Sequence, residues 1–88
     1  MIGWLKGELV SRRANGVILS VGGVGYLVNL AGETLADKEL GAEVELHIYT
    51  QVREDTLALF GFESEEALDT FHTLIGVSGV GPKLAVGL

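Results

Sequence analysis

The sequence predicts a small β-barrel followed by a helical unit, mainly β with appended α. Three observations carry this expectation. Up to Phe62 the chain divides into short stretches in which apolar and polar residues alternate, as half-buried strands do. Glycine supplies 13 of the 88 residues, roughly twice its usual share of about 7%, as many short strands and tight turns would require. After Phe62 the apolar spacing changes to that of a helix.

Residues 2–10 (IGWLKGELV) alternate loosely and predict a first strand. "RRANG" follows as a turn, with Asn15-Gly16 as the hairpin signal. Residues 17–21 (VILSV) predict a second strand, Gly22-Gly23 a turn, and residues 24–30 (VGYLVNL) a third strand. "AGETLADKELGA" is polar and helix-tolerant, so a short helix or a long loop is expected there. Residues 43–52 (EVELHIYTQV) put Val44, Leu46, Ile48 and Thr50 on one face and Glu45, His47 and Tyr49 on the other. "REDT" breaks the alternation, and residues 57–62 (LALFGF) predict a fifth strand. Five short strands with a longer connection between the third and fourth suit a Greek-key barrel of the OB type. The alternative is an open five-strand sandwich. Gly7 and Gly25 are expected to mark bends or bulges where a barrel closes.

Beyond the strands, Ser64 is a good N-cap, and Glu65 and Glu66 lie where the helix dipole favours negative charge. Ala67, Leu68, Phe71, Leu74 and Ile75 recur at helical spacing, and Gly76 is a natural stop. Gly81 and Pro82 match the N-cap and first position of another helix, making the unit helix, hairpin loop, helix. That last helix has only about seven residues, too few to stand without packing. The expectation is a fragment.

Composition narrows the function. With no cysteine, disulfides and thiolate metal sites are excluded. His47 and His72 lie far apart without the spacing of metal ligands, and structural roles are expected for both. No apolar run approaches the ~20 residues of a membrane span, and MIGWLKG lacks the plan of a secretory signal, so a cytoplasmic protein is expected. The net charge of −6 has the wrong sign for simple nucleic-acid binding. Its distribution is uneven: ESEEALD (63–69) carries four acids and no base, whereas Lys83 is the one charged side chain from Gly76 to Leu88. A nucleic-acid face would have to be local, built from few bases and backbone amides.

"SGVGPK" (78–83) is the candidate for such a face. A nucleotide P-loop needs GxxxxGK[ST] after a strand. Here Pro82 separates Gly81 from Lys83, Leu84 replaces the magnesium-binding hydroxyl, and a helix precedes. A dinucleotide fingerprint also fails, because Leu84 stands where its third glycine belongs. What remains is a loop at a helix N-terminus whose free amides can bind phosphate without reading sequence. The donors would be Val80, Gly81, Lys83 and Leu84, with the Lys83 ammonium adding charge. A plain helical hairpin with glycine caps fits the spacing equally well.

Four blocks, "MIGWLKGELV", "VGGVGYLVNL", "VREDTLALFGF" and "GVSGVGPKLA", resemble in order and spacing the RuvA family of bacterial Holliday-junction-binding subunits. The resemblance runs from Met1 to Leu88. It implies an OB-fold domain over 1–62, serving oligomerisation and the junction centre. It also implies the start of a helix-hairpin-helix DNA-binding domain over 63–88, truncated before a second such motif. Members of that family form a homotetramer, or an octamer, that holds a four-way DNA junction open and nearly square. Their hairpins grip duplex arms by the phosphates, which assigns that role here to Gly79, Val80, Gly81, Lys83 and Leu84. A hexameric RuvB-type ATPase moves the arms, contacted through a region absent from these 88 residues. The implied role is a non-catalytic scaffold for branch migration in recombination and repair, with no cofactor, no metal and no membrane.

The resemblance also gives "REDT" a function: an acidic pair, here Glu54 and Asp55, would project into the junction centre. A solvated β-turn accounts for the same residues without it. The rival function is an OB-fold module for single strands or proteins. Single-strand binders use aromatic platforms on a basic groove, and no basic cluster accompanies Trp4, Tyr26, Tyr49, Phe60, Phe62 and Phe71.

Overall fold

A computed structural model describes residues 1–75 of the chain. Five strands and one helix follow in order: β1 (Trp4–Arg13), β2 (Gly16–Val21), β3 (Val24–Leu30), β4 (Glu43–Arg53), β5 (Thr56–Phe62) and α1 (Glu65–Ile75). The strands close into a barrel in the order β1-β2-β3-β5-β4, with β4 returning to β1. Only the β3–β5 pair is parallel. This agrees with the OB type and excludes the open sandwich.

Alternation builds the barrel core. Leu5 and Leu9 from β1, Val17 and Leu19 from β2, Val28 from β3, Val44, Leu46 and Ile48 from β4, and Leu59 from β5 form one buried cluster. Fully burying each such side chain contributes about 1.5–3 kcal/mol. The expected division of β4 holds, with Val44, Leu46, Ile48 and Thr50 buried and Glu45 exposed. Thr50 satisfies its buried hydroxyl by donating to the Ile2 carbonyl.

The turns show both agreement and correction. Gly22 and Gly23 have φ of 59° and 87°, the two positive values of a type I′ hairpin turn. The β1–β2 turn is Ala14-Asn15 rather than Asn15-Gly16, and β1 continues past residue 10 to Arg13. Gly16 opens β2 because a Cβ there would stand 2.0 Å from the Val28 carbonyl oxygen. Gly7 likewise marks a close approach, its absent Cβ falling 2.2 Å from the Ser20 carbonyl oxygen. The bulge itself lies between Leu9 and Ser11, displaced from both expected glycines.

Residues 31–42 contain turns and no helix. The segment bonds back on itself three residues apart, from Thr34 N to Ala31 O and from Ala36 N to Glu33 O. Leu35 enters the barrel core from this segment at 3% exposure, with a left-handed φ of 61°. Leu40, five residues on, is 60% exposed.

Helix α1 begins as expected. Ser64 Oγ accepts from Ala67 N at 3.1 Å, satisfying one of the free amides of the first turn. A second cluster joins Phe71 to Phe60 on the outer face of β5, with Tyr49, Ala58, Phe62, Leu74 and Ile75 around them. Phe71 stacks on Phe60 at 5.8 Å and meets Tyr49 edge-on at 5.1 Å. His72 also meets Tyr49 edge-on at 5.1 Å. Ala67, expected on the apolar face, is exposed.

Candidate nucleic-acid interface

The acidic pair sits on a two-residue hairpin turn. Arg53 pairs with Thr56 in the last register of β4 and β5, leaving Glu54 and Asp55 at the tip. Both are exposed. The Thr56 hydroxyl donates to Asp55 Oδ1 at 3.1 Å, so one carboxylate oxygen is oriented by its own turn.

Among the described residues, no cation neutralises either carboxylate. The ion pair found among the described residues is Lys6 Nζ with Glu43 Oε1, at 3.6 Å. Arg53 adjoins Glu54 in sequence but turns toward Gln51. With the Gln51 amide oriented by its hydrogen bonds, its oxygen accepts from Arg53 Nε at 3.1 Å and Nη2 at 2.9 Å. Two negative charges are thereby displayed side by side, with no cation among the described residues on either.

Topology places this tip. β3 and β5 are parallel, with Leu30 beside Gly61, and Leu30 N donates to Asn15 O. The end of β5 therefore lies with the β1–β2 turn. Its beginning, Thr56, lies at the opposite end with the Gly22–Gly23 turn. Below the tip, Val52 and Leu57 face one another across the strands at 65% and 62% exposure. They continue the inward-facing rows of Thr50 and Leu59 past the barrel's end, where no wall remains to cover them. Sequence alternation assigns their face but carries no signal for where the barrel stops.

The phosphate-gripping candidates Gly79, Val80, Gly81, Lys83 and Leu84 lie outside the described residues. Of the aromatics weighed as a stacking platform, Tyr49, Phe60, Phe62 and Phe71 pack together in the seam between barrel and helix. Trp4 is 50% exposed on β1, facing outward beside His47 and, beyond it, Phe62. Lys6 lies on the same outward face but is paired with Glu43, and Glu8 and Glu45 adjoin it, so the face lacks the basic lining that a single strand would require.

Comparison with known proteins adds to this geometry. Residues 1–61 match the family model described as the RuvA N terminal domain. The Holliday junction branch migration complex subunit RuvA of Halothermothrix orenii is 48% identical over 88 residues, covering 100% of this chain and 45% of that protein. The subunit of the same name from Acidobacterium capsulatum is 51% identical over 87 residues, covering 98% and 44%. That from Bdellovibrio bacteriovorus is 40% identical over 90 residues, covering 100% and 46%. The chain spans just under half the length of these curated relatives.

Proposed function

The chain belongs to the RuvA N-terminal domain family, and from that premise we propose that it is the barrel portion of a non-catalytic scaffold for four-way DNA junctions. In this reading Glu54 and Asp55 stand at the junction centre. Residues 63–88 begin the helix-hairpin-helix unit, in which Gly79, Val80, Gly81, Lys83 and Leu84 hold phosphates of the duplex arms. Four copies, or eight, surround the junction, and a RuvB-type ATPase supplies the energy for branch migration. The work is cytoplasmic.

The observation that carries this reading is the exposed carboxylate tip, on which no cation among the described residues sits. Negative charge is a poor means of holding DNA, so its value lies in exclusion. Unit charges 4 Å apart interact by about 1 kcal/mol in bulk water and by roughly 4 kcal/mol at an effective dielectric near 20. Four copies around one axis would gather these carboxylates where a continuous duplex would have to cross. An open junction leaves a hole there, and its strands diverge around the charges. Repulsion then selects junction over duplex.

The test is a paired affinity measurement at matched ionic strength on a four-way junction and a duplex. It uses a chain of the relatives' length carrying this sequence, with and without Glu54→Gln combined with Asp55→Asn. The double variant is expected to tighten duplex binding more than junction binding. An unchanged ratio would reduce the pair to a solvated turn.

A further inference from the structure

A second charged feature occupies the opposite end of the barrel. Where β1 turns into β2 at Ala14-Asn15, the 31–42 connection passes alongside and leaves an open cavity of about 310 Å³. Arg12, Arg13, Asn15, Leu30 and Thr34 are among the residues that line it. No carboxylate lines it, although the chain has 12 acidic residues against 6 basic ones. In so acidic a chain, two consecutive arginines on a cavity lined by no carboxylate are the exception.

Arg12 is fixed in place there. Its Nη2 donates to the carbonyl of Leu35 at 2.7 Å and to that of Lys38. A guanidinium carries five N–H donors in a rigid fork, so two bonds from one nitrogen leave Nε and Nη1 uncommitted on a group already oriented. Arg13 is exposed and lies outside the ion pair of Lys6 with Glu43 found among the described residues. The Asn15 amide brings further donors. The partly buried Leu30 supplies apolar surface against which the carbon of an ester could rest.

We propose that this cleft binds a phosphate group. A carboxylate offers two oxygens and fills one guanidinium fork, whereas a phosphate has oxygens enough for two forks and an amide at once. The cavity volume lies at the lower end of the range for small-molecule sites, which suits a single phosphate ester. The net charge of −6 does not prevent binding. Screening over about 8 Å at physiological ionic strength makes the two local arginines decide, and the acidic tip lies at the far end of the barrel. The phosphate comes either from a nucleic-acid backbone or from a free nucleotide.

The experiment is a titration of the isotope-labelled chain, followed by backbone amide resonances, with three separate probes. These are inorganic phosphate, adenosine monophosphate and a short DNA duplex without a junction. Saturable shifts are expected at Ala14, Asn15, Gly16 and Gly32, with Glu54 and Asp55 unmoved. Arg13→Gln, which removes no side-chain hydrogen bond or ion pair found among the described residues, is expected to weaken phosphate binding roughly tenfold. Arg13→Lys keeps the charge and is expected to fall between. If the duplex shifts the same amides and inorganic phosphate displaces it, the source is a DNA backbone. If only the two small probes act, the source is a free phosphate ester. Absence of saturable shifts at these amides with all three probes overturns the proposal, as does equal affinity in Arg13→Gln. Either failure leaves the junction reading standing, because that reading rests on residues at the other end.

Discussion

The guanidinium of Arg12 holds the backbone of Leu35, with Nη2 donating to the Leu35 carbonyl at 2.7 Å across 23 positions of sequence. The residue so held has φ of 61° and places its side chain in the barrel core at 3% exposure. A left-handed leucine costs roughly 1–2 kcal/mol. Burial of its side chain and the arginine clamp offset that strain together.

This pairing sets the first expectation. Leu35→Ala leaves a cavity at the mouth of the barrel and is expected to destabilise the fold by about 2–5 kcal/mol. Arg12→Ala removes two hydrogen bonds from a partly solvated group and is expected to cost less, on the order of 1 kcal/mol. Denaturant unfolding of the two variants checks the order. A costlier Arg12→Ala would mean that the clamp, rather than the plug, holds the connection.

The glycines should rank by what an added methyl would meet. At Gly16 it would meet the Val28 carbonyl oxygen at 2.0 Å, and at Gly61 the Val28 side chain at 2.7 Å. Backbone cannot yield as a side chain can. Gly16→Ala is therefore expected to exceed the about 1–3 kcal/mol of ordinary overpacking, with Gly61→Ala falling inside that range. Gly3→Ala, with nothing within 4 Å, is the control and should leave the melting temperature unchanged.

Helix and barrel have separate buried clusters, so they should part separately. Phe71 is the buried residue of α1 and touches Tyr49, Phe60 and Phe62. Phe71→Ala is expected to remove amide-exchange protection from 65–75 while the central residues of β1, β2 and β4 keep theirs. Loss of protection throughout would show the helix to be part of the barrel's own cooperative unit.

Val52 and Leu57 form an apolar pair beside two charges, a costly thing to leave in water. Assembly of several copies around the acidic tips would cover it. Val52→Ser with Leu57→Ser is expected to lower the mass measured by light scattering while unfolding stability stays within about 0.5 kcal/mol, as for other surface changes. An unchanged mass would show that the pair makes no contact between copies.

The lowered duplex exclusion expected of Glu54→Gln with Asp55→Asn belongs with these tests. It alone reads function directly, through the ratio of junction to duplex affinity. Stability should not move, because both side chains are exposed and their side-chain hydrogen bonding among the described residues is that of Asp55 with Thr56.

Local chemistry made much of the barrel legible. Period-two alternation separates Leu46 from Glu45 whatever surrounds them, since successive strand residues face opposite sides. Gly22-Gly23 specifies a I′ turn through its φ alone, and Ser64 caps a helix with its own oxygen. Quantities that depend on a distant partner were not legible. Leu35 and Leu40 stand in the same polar stretch with the same side chain, yet one is buried and the other 60% exposed. The difference comes from Arg12, far away in sequence, and from a barrel mouth that exists only after closure. Val52 continues the inward row of a strand that has outrun its barrel, and Gly16 serves a carbonyl on β3 rather than the turn it adjoins. The acidic pair could be read from "REDT", but that the neighbouring Arg53 does not compensate it could not, because Arg53 had first to be seen turned toward Gln51. Alternation and turn chemistry act within a few residues and are written in the chain. Closure, plugging and the pairing of charges act between segments that meet only in the folded molecule.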